Sequence, residues 1–333
     1  MGRLVKSISI SSIRPIASSF GVICVDGLWG SGKSLLGPII NSFHNVEPFQ
    51  LNYRIEELCH LNYLKKINKE TTFKMLIREV DLSFYNSLIL RNANFRFKDD
   101  SFIAPHLGFL EVLKRLQNPG GFSIYESESF YRRRYSFMSH LLTAFSSPLV
   151  EVFRERIKFF VINRNPIAML EHWENYLGNF DRLGEFTVSQ KIENVRVPFF
   201  AKHWEEEYLN VSVLERAVLG IARNLKMQNE YLGKSSNMNY ALINFDELVR
   251  NPIKVADDCS TFLNLNYGNN IKTKRRLKKL LLVKSWRTIM AKGNRGVANH
   301  YESRDLANSK LKKLISNSSL AEFQHAIDVY FNQ

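Results

Sequence analysis

Apolar residues recur along this chain with two different periods, and the switches between them mark out its elements. Residues 21–25, "GVICV", form a short β-branched run that ends at a glycine-rich turn, the pattern of a buried strand. "LLGPIINSF" after it has helical spacing, complicated near its start by Pro38. Residues 53–118 read as helices, with apolar positions three and four apart in "YRIEELCHLNYLKKI" and "FLEVLKRL". "NPGG" at 118–121 is a turn, and "FSIYES" directly after it predicts a second strand. "YSFMSHLLTAF" reads as a helix. "IKFFVINRNP" (157–166) predicts a third strand, stopped by Asn165-Pro166, with "IAMLEHWENYL" the helix that follows. "VLERAVLGIARNLKMQNEYL" is a long amphipathic helix and "NYALINFDEL" (239–248) a further strand. "PIKVADDCSTFLNL" closes the series as a helix with proline in its first turn.

Strands alternating with helices at these intervals predict an α/β fold, a parallel sheet with helices on both faces. No internal repeat and no low-complexity linker divides the 333 residues. The expectation is one domain over 1–333, with helical insertions at about 50–118 and 178–235 and a basic C-terminal segment at about 270–333.

Composition narrows the class. A hydrophobic share of 45% with 12% aromatics belongs to a folded globular protein. The formal charge of +14 favours an anionic ligand, a polyanion or an acidic membrane surface. Its densest run is "KTKRRLKKLLLVKSWR" (272–287), which is either a solvated helix face or a peripheral contact surface for a polyanion or anionic lipid. Base-edge or backbone readout of nucleic acid needs a recognisable module, and none is present. Cys24, Cys59 and Cys259 share no ligand spacing and cannot all pair, so a reduced compartment is expected and no metal site. No apolar run approaches the roughly 18 residues that cross a membrane. Arg14 and Pro15 interrupt the stretch that a signal peptide would need, and position 6 is Lys rather than the Ser or Thr of an acylation site. A cytoplasmic protein is the expectation.

The chemistry starts at "VDGLWGSGKS", residues 25–34. Gly27, four residues, then Gly32-Lys33-Ser34 is the spacing of a phosphate-cradling loop, and here it sits between a strand and a helix. Backbone amides in such a turn form an anion nest, and the helix that follows adds the positive end of its dipole. Gly27, Gly30, Ser31 and Gly32 shape the loop, Lys33 brings an ammonium to the outer oxygens, and Ser34 can bind phosphate or magnesium. The fold expected around it is that of the P-loop-containing nucleoside triphosphate hydrolases. Most such loops bind ATP or GTP. A kinase would need an acid at a neighbouring strand end for magnesium, for which Glu126 and Glu128 are candidates. The arginine-rich lid of many small-molecule kinases has little counterpart here, since residues 178–200 hold only Arg182 and Arg196.

The segment "FFVINRNPIAMLEHW" changes the balance. An arginine at the C-terminal end of a parallel strand faces the ligand crevice, and its planar fork suits a phosphate. Here the chain resembles the sulfotransferases, whose third strand ends in Arg-Asn-Pro or Arg-Asp-Pro. The resemblance extends to "LINFDELVRNPIKVADDCSTFLNL" (242–265) and, more weakly, to "AKGNRG" (291–296). It implies that Arg164, with Lys292 and Gly293, binds the 3′-phosphate of 3′-phosphoadenosine 5′-phosphosulfate (PAPS). It further implies sulfuryl transfer to a hydroxyl acceptor such as a carbohydrate. The chain departs from the pattern in placing Lys33 where the family usually has Thr, Gly30 where it has the loop lysine, and His172 where it has a serine, a histidine that can still donate to the cofactor phosphate; Ala291 replaces an arginine.

In that reaction Lys33 and the loop amides would stabilise the bridging oxygen of the leaving group. A general base is required for the acceptor hydroxyl. Glu56 and Glu57 lie near the place of the family's glutamate, and adjacent positions on a helix let at most one face the crevice; His106 is the histidine alternative. Arg91 and Arg96 are either a phosphate clamp or a structural pair, and Trp173 with Tyr176 reads as core. Two further functions stay open: a kinase using ATP with magnesium, and a non-catalytic nucleotide-binding protein with a basic docking face.

Overall fold

The computed structural model describes residues 20–96, 103, 107, 109–118, 120, 132–180, 182, 187–266 and 311–332. His106, Glu126, Glu128, the expected strand at 122–127, the basic run 272–287, and Lys292 with Gly293 lie outside them.

Strand β1 (Gly21–Gly27) passes through the loop into helix α1 (Lys33–Ile40), and a two-residue strand, β2 (Gln50–Leu51), precedes helix α2 (Tyr53–Tyr63). Helices α3 (Lys69–Leu88) and α4 (Phe109–Leu116) lead to β3 (Arg134–Met138). Helix α5 (Ser147–Phe153), strand β4 (Ile157–Asn163) and helix α6 (Pro166–Gly178) come next, then the hairpin β5 (Ser189–Ile192) and β6 (Val195–Pro198). Helices α7 (Glu205–Asn210) and α8 (Val213–Lys234), strand β7 (Asn239–Asn244), and helices α9 (Phe245–Arg250), α10 (Pro252–Leu263) and α11 (Asn317–Phe331) complete the order. Side-chain caps start most of the long helices. Asn52, Asn68, Asn165, Ser212 and Ser316 each accept a bond from a backbone N–H of the first turn.

β2, β3, β1, β4 and β7 lie side by side in that order, every pair parallel. Val22 stands opposite Tyr135 on one side and Ile157 on the other, which fixes β1 at the centre. A central parallel strand is buried on both faces, and alternate residues of β1 enter two different cores. Val22 and Cys24 pack with Tyr135, Phe137, Phe159 and the helices α2, α3 and α5. Ile23 and Val25 pack with Phe160, Ile162, Ile243 and the helices α1, α9 and α10. A third cluster joins α6, α8 and α11 around Trp173 and takes in Leu28 and Trp29 of the loop.

Two expectations need correction. Residues 135–145 do not form a helix: 134–138 are strand β3, and a single 3₁₀ turn covers Thr143–Phe145. Ladder pairing with β1 decides the matter, with Tyr135 and Phe137 entering one core while Ser136 donates to the Glu47 carbonyl. The segment expected to be a helical insertion at about 178–235 also carries the β5–β6 hairpin, turned at Glu193 and Asn194 with φ of 48° and 73°.

Candidate functional site

The shape of the loop that ends β1 is set by backbone conformation at its glycines. Gly32 has φ 91°, and a β-carbon there would lie 2.3 Å from Cε2 of Phe245, so any other residue strains the backbone and forces that ring to shift. Gly30 (φ 77°) lies against His172, whose ring would be 3.3 Å from a β-carbon added there. Gly32 also caps α1, with no side chain bonded to the first-turn amides and no acid in that turn. Those amides and the helix dipole could receive an anion.

Lys33 is buried at 5% exposure and donates from Nζ to the carbonyls of Gly27 (2.9 Å) and Leu28 (2.7 Å). Burial lowers its pKa to about 8, partly offset by the negative charges of Asp26 and Glu56. Ser31 is 1% exposed, and its hydroxyl has no hydrogen-bond partner among the described residues. A buried donor left open in a phosphate-type loop fits a ligand oxygen. Ser34 is exposed.

Asp26, fully buried one residue before the loop, holds the end of β3 in place. Its carboxylate accepts from Ser139 Oγ (3.0 Å), the Leu142 amide (3.0 Å), and the Thr143 amide and hydroxyl. Four donors on one carboxylate make it a structural clamp between two strand ends. The clamp sets His140, which follows Ser139, at the crevice side of the sheet.

His140 meets Glu56 of α2. Glu56 Oε1 accepts from the His140 amide (2.9 Å) and lies 3.2 Å from its Nδ1. Burial pushes the Glu56 carboxyl well above its usual range, with Asp26 adding to the rise. Burial also holds His140 well below the ordinary imidazole value, helped by the charges of Lys33 and His172. Opposite shifts of this kind keep the pair uncharged as a whole, and a Nδ1–H donated to Glu56 leaves Nε2 as an acceptor. Tyr53, exposed at 41% on the same helix face as Glu56, lies nearly parallel to the His140 ring. Glu57 points outward and is exposed.

Arg164 completes the constellation. It follows β4, donates from Nη1 to the Gly30 carbonyl at 2.6 Å, and lies over the Phe245 ring at 4.2 Å. Desolvation lowers its pKa, opposed by Asp246 and Tyr330. The loop, Lys33, Glu56 and Arg164 are thus brought together, with His172 at the edge beside Gly30. Arg196 bonds Ser189 and the Phe180 carbonyl within the hairpin region, and Arg91 packs over Tyr85 on α3. Trp173 is fully buried and donates its indole N–H to the Trp29 carbonyl, pinning the loop from the side of α6. Among the described residues no group of His, Cys, Asp and Glu could hold a metal ion.

Sequence reasoning missed Asp26, His140 and Tyr330. The available signal for the first two was the alternation of Tyr135 and Phe137, which makes Ser139 and His140 the end of a strand flanking β1.

No family model and no curated protein matches the chain. Among solved structures it is similar to the sulfotransferase domain from the curacin biosynthetic pathway, at 14% identity over 75% of this chain and 76% of that one, with a TM-score of 0.42. It is similar to the sulfotransferase domain from the Synechococcus PCC 7002 olefin synthase, at 12% identity over 94% and 96%, with a TM-score of 0.40. A third is the sulfotransferase STF9 from Mycobacterium avium, at 11% identity over 93% and 77%, with a TM-score of 0.46. The strand order and the loop between β1 and α1 make the fold α/β of the P-loop type.

Proposed function

We propose that this protein is a sulfotransferase that takes its sulfuryl group from PAPS and delivers it to a hydroxyl acceptor of the carbohydrate class. The observation that carries the reading is Arg164, half-buried and bonded to the Gly30 carbonyl, which sets a second cation hard against the phosphate loop. One phosphate site beside another suits a nucleotide with phosphates at both the 5′ and 3′ positions, whereas ATP offers only a hydroxyl at the 3′ position. The open Ser31 hydroxyl, the uncapped amides of α1 and the Lys33 ammonium fit the 5′ end. When bound, PAPS supplies a sulfuryl group and a phosphate leaving group.

Lys33 neutralises charge that builds on the leaving oxygen, which makes its effect specific to the transition state. To reach it, the ammonium would have to leave the carbonyls of Gly27 and Leu28. Nε2 of His140 takes the acceptor proton, and Glu56 orients the ring through Nδ1. Tyr53 offers an exposed ring on which a sugar face can lie.

Thermal-shift titration separates this reading from a kinase. Adenosine 3′,5′-bisphosphate is expected to stabilise the protein more than ADP does, without magnesium. Equal shifts, or a magnesium-dependent preference for ADP, favour the kinase.

A further inference from the structure

The end of the chain returns to the site. α11 is held along α8 by polar contacts on both sides of its buried face. Ser316 N and Ser319 Oγ donate to Glu215 at 3.0 and 2.7 Å, and Arg223 donates to Glu322 at 2.8 and 3.0 Å. Phe323 and Ile327 between them are fully buried. The helix so fixed delivers Tyr330, 7% exposed, to the start of α9. Its hydroxyl donates to Asp246 Oδ2 at 3.2 Å and lies 3.5 Å from Asn244 Nδ2. Asp246 adjoins Phe245, the ring on which the Arg164 guanidinium rests, and its charge reaches that guanidinium.

A carboxylate one residue along from the ring that carries a phosphate-binding arginine has two effects. It competes with the ligand for the guanidinium, and it repels the ligand's own charge. A hydrogen bond from a rigid, buried phenol fixes the carboxylate's orientation and takes up part of its charge. We infer that Asp246 and Tyr330 set the specificity of the Arg164 pocket: the C-terminal helix, through Tyr330, restrains Asp246 so that Arg164 stays available to a nucleotide 3′-phosphate. Tyr330 is a positioning residue, and Asp246 is the competitor it restrains. The inference rests on the reading of Arg164 as the 3′-phosphate site.

The test is a set of calorimetric titrations with adenosine 3′,5′-bisphosphate and with AMP. The proteins are the wild type, Tyr330→Phe, Asp246→Asn and the double variant. Tyr330→Phe keeps the ring packing and is expected to weaken the bisphosphate about 3- to 10-fold while leaving AMP unchanged. Asp246→Asn is expected to act in the opposite direction, strengthening the bisphosphate by a similar factor. On the Asp246→Asn background, Tyr330→Phe then has no further effect on the ratio of the two affinities, because the carboxylate it restrains is gone. Equal losses for both ligands in Tyr330→Phe, or a weaker bisphosphate in Asp246→Asn, overturn the inference while leaving the Arg164 site standing. A wild type that binds bisphosphate and AMP equally well removes the Arg164 reading itself, and the inference with it.

Discussion

Lys33 is a cation stored against its own loop. Its ammonium rests on two carbonyls and is buried deeply enough to bring its pKa down to about 8. The value of kcat/KM is therefore expected to fall as pH rises through about 8, where the free protein loses the ammonium. A kcat/KM flat across that range contradicts a charged role for the residue in the transition state. Folding stability of the ligand-free protein takes the opposite slope. Between about 8 and 10.5 the unfolded chain binds the proton that the folded chain has released, so this residue makes stability rise with pH there. Lys33→Ala should lower turnover far more than it weakens binding of the spent nucleotide, since loop amides and Arg164 still hold the product. The acceptor side gives a sharper contrast. Glu56→Gln and His140→Ala are each expected to cost roughly 10²- to 10⁴-fold in kcat. Glu57→Gln, one residue along on the exposed face of α2, should leave the rate unchanged. Activity retained in both Glu56→Gln and His140→Ala places the base elsewhere.

At the scale of elements, the site is made where strand ends meet. β1 delivers the loop, β3 delivers His140, β4 delivers Arg164, and β7 runs into Phe245, which touches both the loop and the arginine. Gly32→Ala is expected to displace Phe245 and destabilise the protein by roughly 1–3 kcal/mol, read by thermal or denaturant unfolding. Nucleotide binding should fall with it, because Phe245 carries Arg164. β1, β4 and β7 were legible in the sequence as apolar runs ending at glycine, Arg-Asn-Pro or Asn-Phe-Asp, and with them the loop and the arginine. β3 was not, because Tyr135, Met138, Leu141, Leu142 and Phe145 have spacings of three and four that suit a helix equally well. Only the neighbouring β1 backbone, absent from any local window, resolves that ambiguity. His140 was hidden with it. The β5–β6 hairpin was hidden for a different reason: Glu193 and Asn194 adopt positive φ without the glycine that usually announces such a turn. Which of Glu56 and Glu57 turns inward depends on the phase of α2, set by burial of Ile55, Leu58 and Cys59.

At the scale of the whole molecule, the excess of positive charge acts on arrival rather than on fit. With a formal charge of +14, association of a polyanionic nucleotide is expected to slow as ionic strength is raised from ~0.05 to ~0.5 M, while dissociation changes little. Stopped-flow mixing checks both rates, and an association rate indifferent to salt removes long-range attraction from the account. The contact between Trp29 and Trp173 extends from the same loop in another direction. Trp29 is a loop residue with its ring 4.6 Å from that of Trp173 and 4.2 Å from that of Tyr176, and its carbonyl receives the Trp173 indole N–H. Two fluorophores in contact, one of them on the loop proposed to hold the nucleotide, would give the protein an intrinsic optical gauge. Filling the loop should change ultraviolet emission with no label attached, and Trp29→Phe should silence that change while leaving the affinity for the ligand in place.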